Sequence, residues 1–170
     1  MNYVIATTRS WNEILARRLE EKTGHTFHLI TRQEDLTIKR LSSIAPRYVF
    51  FPHWSHIIKE AIHMAYECVI FHMTDLPYRR GGSPLQNLIL RGHQQTQLTA
   101  FRCVTEVDAG PIYFKRSLSL GGSASEIFLR AADLIEGMIE TMVYNEPYPE
   151  PQSGDPVTFC RPTPAARAIS

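Results

Sequence analysis

A histidine just past an apolar run and a carboxylate in a short loop farther along are residue types from which proton-transfer chemistry is built. Here they are His72, which follows the run 68–71, and Asp108, inside "EVDAGPI". An imidazole so placed can act as a general base or steady an oxyanion; a histidine hydrogen-bonded at a strand end is the ordinary alternative. Asp108 precedes Ala-Gly, so it either forms a turn or aims a carboxylate at the same crevice. Between the two, "YRRGGSP" can supply positive-φ backbone, and Arg79 or Arg80 can meet an anionic group or face solvent.

Two other chemistries are weighed on residue type. His53, His56, Glu60 and His63 form a cluster whose last three members would share a helix face, which raises a metal site. The cluster lacks partners at ligand spacing elsewhere and is not HExxH, so no metal is expected. The loop after the first strand, 7–10, contains no glycine, which disfavours the GxGxxG mode of dinucleotide binding.

These residues need elements to position them, and the apolar pattern supplies an alternation of strand and helix. Tyr3 to Thr7 reads as a strand, followed by a helix that Ser10 can cap and Gly24 can stop. Residues 27–30 and 48–51 read as further strands, the latter ending at Pro52, with a weak helix over 37–46 between them. Then come a helix in "SHIIKEAIHMAY", with Ile57, Ile58, Ala61 and Ile62 toward a core, and the strand 68–71, apolar enough to be buried on both faces. A helix over 85–91 stopped by Gly92, two strand-like runs over 96–105 and 111–120, and a long helix from the Ser123/Glu126 capping box through Met142 complete the pattern.

The pattern predicts an α/β fold with a Rossmann-like, mainly parallel sheet and flanking helices. Ligands in such sheets bind beyond the carboxyl ends of the strands, so the loops 8–12, 52–57, 72–83 and 106–110 are the candidates. One catalytic domain is expected over 1–145, with 146–170 a proline-rich tail in which "VTFCRP" forms an irregular segment or an edge strand.

Composition narrows the partners. A formal net charge of +1 without a basic block disfavours nucleic acid. No apolar run approaches the roughly 20 residues of a membrane span, and no leader pattern opens the chain, so a cytoplasmic protein is expected. Cys68, Cys103 and Cys160, odd in number and far apart, fit reduced structural thiols.

Taken in order, "IFHMTDLP", "YRRGGSP", "LILRG", "TQLTAF" and "VDAG" resemble the catalytic domain of the 10-formyltetrahydrofolate-dependent formyltransferases. In that family a strand leads into N-x-H-P-S-L-L-P, a Tyr-Arg-Gly turn, a proline that opens a helix, a glycine, a threonine-rich strand and D-x-G. The positions Pro77, Arg80, Gly81, Pro84, Gly92, Thr96, Thr99, Asp108 and Gly110 follow that spacing without insertion, and the likeness runs over about 1–143.

The resemblance implies that His72 and Asp108 are catalytic and that 10-formyltetrahydrofolate is the one-carbon donor, without a metal. It implies a cofactor wall of Pro52, His53, Trp54, Ser55, Ile57, Ile70, Val104 and Val107, with substrate contacts at Arg9, Thr74, Tyr78, Arg79, Arg80, Gly81 and Gly82. The family's asparagine two residues before the histidine is Ile70 here, and isoleucine cannot donate to an oxyanion. Thr74, Asn87 or backbone N–H groups near Pro84 are the substitutes considered.

The chain looks most like the small branch acting on nucleotide-linked amino sugars, so transfer to such an amine is expected. The alternatives are an impaired folate-binding or interaction protein of the same fold and a methionyl-tRNA formyltransferase-like activity. The tRNA reading is disfavoured by charge and by a chain that stops before the family's extra C-terminal domain. A homodimer is left open.

Overall fold

A computed structural model describes residues 1–77, 80–81, 84–154 and 158–159. Among the described residues eight strands and five α-helices follow one another. They are β1 (Asn2–Thr7), α1 (Glu13–Thr23), β2 (Thr26–Ile30), α2 (Ile38–Ile44), β3 (Val49–His53), α3 (Glu60–Ala65), β4 (Cys68–His72), β5 (Arg80–Gly81), α4 (Pro84–Leu90), β6 (Gln95–Arg102), β7 (Ile112–Ser119), α5 (Ala124–Asn145) and β8 (Thr158–Phe159).

Six strands form one sheet in the order β2-β1-β3-β4-β6-β7. The first four are parallel, as the β-then-α alternation requires, while β6 pairs antiparallel with both β4 and β7. The sheet buries both faces. Tyr3, Ile5, Phe50, Val69, Phe71 and Leu98 pack beneath α1, α4 and α5, while Val4, Ala6, Val49, Phe51 and Cys68 pack beneath α2 and α3. Among the described residues, no helix is long and apolar enough to cross a membrane.

Several local readings hold for stated reasons. Ser123 accepts from the Glu126 amide and Glu126 answers the Ser123 amide, so the capping box starts α5. Gly24 adopts φ 73 at the end of α1, where a side chain would be strained.

Other readings are corrected. Ser10 does not cap α1; it opens a 3-10 turn over Ser10–Asn12, and α1 starts at Glu13. The strand expected to stop at Pro52 continues through it to His53. Its register against β1 slips between the Ile5–Phe50 and Thr7–His53 pairs, and this bulge accommodates a residue with no N–H. The helix expected across "SHII" begins only at Glu60, after extended backbone at Lys59, and Ile57 is 89% exposed instead of packing inward. Ala61 is exposed as well. The tail does form a strand, β8, but it pairs in parallel with β5 in a separate two-stranded sheet.

Candidate active site

His72 is the last residue of β4, not the first beyond it, and pairs with Thr99 of β6. Strand alternation sends its side chain to the same face as that of Ile70, whose β6 partner is Phe101. The Phe101 ring stands edge-on to the imidazole, with centroids 6.3 Å apart at 89°. Only 7% of His72 is exposed, so its chemistry faces an enclosed space.

Asp108 reaches the histidine by a route that strand-end reasoning misplaces. Because β6 is antiparallel to β4, its carboxyl end lies at the far end of β4, where the Cys103 amide donates to the Cys68 carbonyl at 2.8 Å. The loop 103–111 therefore folds back along the sheet face to meet His72. Asp108 Oδ2 lies 3.8 Å from His72 Nε2, with both side chains largely buried. This is longer than a hydrogen bond. Asp108 also has φ 53, so it is a turn-forming residue and a carboxylate aimed at the site.

Gly110 explains how the loop folds back. A Cβ there would lie 1.6 Å from the Arg102 carbonyl oxygen, so the close approach of the two backbone segments admits only glycine. The Arg102 amide donates to Pro111 O at 2.9 Å and closes the loop base.

His72 and Asp108 line a cleft of about 620 Å³ on this face. Pro52, His53, Trp54, Ser55, Ile57, Ile70, Val104 and Val107 line the same cleft. Arg9 and Thr74 are not among its lining residues. Thr74 is fully buried, and its carbonyl accepts from Thr99 Oγ1 at 2.6 Å, which holds the chain just after β4. Arg9 acts at a distance through its charge, which reaches His53. Tyr78, Arg79 and Gly82 lie outside the described residues. For Arg80 and Gly81 the placement in β5 is what the structure gives. The Asn87 side chain likewise lies outside the description.

The electrostatics define which groups can do what. Burial, aided by the Arg9 charge, lowers the His53 pKa to about 4, so this ring is neutral at physiological pH. Burial and the Asp108 charge push Cys103 up to about 11, which keeps it a thiol and removes it as a nucleophile. Trp54 Nε1 is buried and has no acceptor among the described residues. His56 lies in the loop before α3, so the helix face expected to gather His56, Glu60 and His63 does not exist. Among the described residues no group of three His, Cys, Asp or Glu side chains is arranged to hold a metal.

Phe51, the first residue of the "FPHWSHI" stretch expected to wall the folate, lines the cleft; His63, Phe101 and Cys103 line it too, and sequence reading did not assign them to it. The register of Ile70 with Phe101 is the signal that finds that second aromatic.

No family model matches the chain. A methionyl-tRNA formyltransferase from Rickettsia canadensis (strain McKiel) is 30% identical over 135 residues, which cover 76% of this chain and 45% of that protein. The chain spans about half the length of the curated relatives it matches, 45% and 49% for two of them. The formyltransferase PseJ from Anoxybacillus kamchatkensis, solved with UDP-4,6-dideoxy-4-formamido-L-AltNAc and tetrahydrofolate, superposes with a TM-score of 0.73 over 94% of this chain and 85% of its own. At 14% identity that likeness concerns the fold alone. The solved methionyl-tRNA formyltransferase from Clostridium thermocellum is 43% identical, with a TM-score of 0.93, and the match covers 97% of this chain and 74% of that one. On that identity and coverage, the chain belongs to the formyltransferase family that includes the methionyl-tRNA formyltransferases.

Proposed function

We propose that this protein transfers a formyl group from 10-formyltetrahydrofolate to a primary amine. The observation that carries the reading is the His72–Asp108 pair, facing across 3.8 Å inside a cleft walled by apolar and aromatic side chains.

The residues present fit a folate. Phe51, Trp54, Ile70, Phe101, Val104 and Val107 offer flat apolar surface for a fused heteroaromatic ring, and the buried Trp54 indole N–H is a donor for a polar ring edge. When bound, the folate supplies the formyl carbon in an activated amide.

The chain's own groups handle protons and charge. Attack by an amine creates an ammonium and an oxyanion, so one group must accept a proton and another must donate to oxygen. The His72 imidazole is the acceptor, and Asp108 orients the ring and steadies the imidazolium that results. The imidazolium can then hydrogen-bond the oxyanion, a task Ile70 cannot perform, and return its proton to the donor nitrogen as the bond from that nitrogen to the formyl carbon breaks. Both side chains of the pair are largely buried, which strengthens these interactions.

For the acceptor we infer a nucleotide-linked amino sugar, supported by the near-neutral charge of +1, which gives little attraction for a polynucleotide. A second reading, methionyl-tRNA, is favoured by the 43% identity to a methionyl-tRNA formyltransferase. Incubating the protein with donor isotopically labelled in its formyl carbon, and with each acceptor separately, tests both. Label in an amide of either acceptor supports formyl transfer and names the class. Tight folate binding with no labelled amide in any acceptor supports the impaired, folate-binding alternative.

A further inference from the structure

One side chain from the segment after α5 reaches the loop that carries Asp108. The Gln152 amide nitrogen donates to the Asp108 carbonyl at 2.7 Å and to the Gly110 carbonyl at 2.8 Å, which engages both of its N–H bonds. Its backbone is anchored two residues earlier. There Ile112 N donates to Glu150 O at 2.7 Å and Glu150 N to Ile112 O at 2.8 Å, an antiparallel bridge onto β7.

The loop has reason to need this restraint. Asp108 holds φ 53, a conformation that disfavours side chains, and the Ala109 amide reaches Glu106 O only at 3.3 Å. Drawing the carbonyls of residues 108 and 110 onto one amide fixes the 108–109 and 110–111 peptide planes. That sets the direction in which the Asp108 side chain leaves the backbone.

We propose that Gln152 is a positioning residue, which locks the 108–110 backbone so that the Asp108 carboxylate faces His72. The segment following α5 is then part of the framework of the site. The catalytic consequence rests on the formyl-transfer reading, whereas the geometric one does not.

Gln152→Met keeps length and bulk but removes both donors. The expected result is a kcat lower by roughly 10- to 100-fold, as for other misplacements of order an ångström, with KM for 10-formyltetrahydrofolate within about twofold. In an Asp108→Asn background the same change should add little, because the two act as one unit. An unchanged kcat, or effects that multiply fully, overturns the proposal. Should Gln152→Met fail to fold, Gln152→Asn, whose amide is drawn back by one methylene, is measured in the same way and should fall between wild type and the predicted loss.

A crystal structure of the folded variant reads the geometry without an assay. Asp108 leaving the left-handed region or turning away from His72 supports the proposal, and an unmoved loop overturns it. A wild-type protein that moves no formyl group contradicts only the reaction reading, and the crystallographic arm still decides the role of Gln152.

Discussion

His72 Nε2 and Asp108 Oδ2 stand 3.8 Å apart, one at the end of a central parallel strand and the other on a loop that doubles back over the sheet. Neither element alone makes a site. The antiparallel direction of β6 and the glycine at 110 bring the carboxylate to the imidazole.

If this pair moves the proton, His72→Ala and Asp108→Asn should each lower kcat by roughly 100- to 10,000-fold while leaving cooperative unfolding intact. Asparagine tolerates the left-handed backbone at 108, so the second variant removes charge with little strain. Steady-state formyl transfer measures the loss, and a rate near wild type for either variant removes that residue from the mechanism.

Gly110→Ala should act on stability before it acts on chemistry. With the added carbon 1.6 Å from the Arg102 carbonyl oxygen, the loop must open, at an expected cost of about 2–4 kcal/mol. A urea titration with an unshifted midpoint would show that the loop tolerates a side chain.

Trp54→Ala removes a large aromatic wall and a buried donor from the cleft. The expected effect is a KM for the folate donor raised by about tenfold or more, with a smaller change in kcat, because the contact is made equally in ground and transition states. An unaltered KM would place the folate elsewhere.

The neutral His53 predicts a pH dependence of stability. Its pKa falls from the ordinary 6.5 to about 4 on folding, so the unfolded chain takes up the proton first as pH drops. Above pH 6.5 the residue contributes no pH dependence; between 6.5 and about 4 it costs stability progressively, up to about 3 kcal/mol. His53→Phe should flatten this part of the stability profile in urea melts across that range. An unchanged profile in the variant would assign the acid sensitivity to other groups.

The parallel half of the sheet was legible because β1 to β4 are short apolar runs separated by helical spacing, and α5 because its capping box and period agree. The pairing of His72 with Asp108 was legible only through motif spacing. Strand-end reasoning put the carboxyl end of β6 at the same sheet edge as that of β4, whereas the antiparallel pairing puts it at the opposite edge, since single-strand patterns carry no direction. The start of α3 was misread because Ile57 and Ile58 look like a helix face, whereas both line the cleft. Gln152 left no signal, as a lone glutamine in a proline-rich stretch reads as linker until the carbonyls it binds are known.

The central claim, that the His72–Asp108 cleft moves a formyl group onto an amine, is tested most directly by following donor and acceptor together by mass spectrometry. The account predicts that wild-type protein converts 10-formyltetrahydrofolate to tetrahydrofolate in step with a formylated amine, and that His72→Ala slows both by roughly 100-fold or more while still binding the folate. Tetrahydrofolate and formylated amine produced at equal rates by wild type and His72→Ala would contradict it.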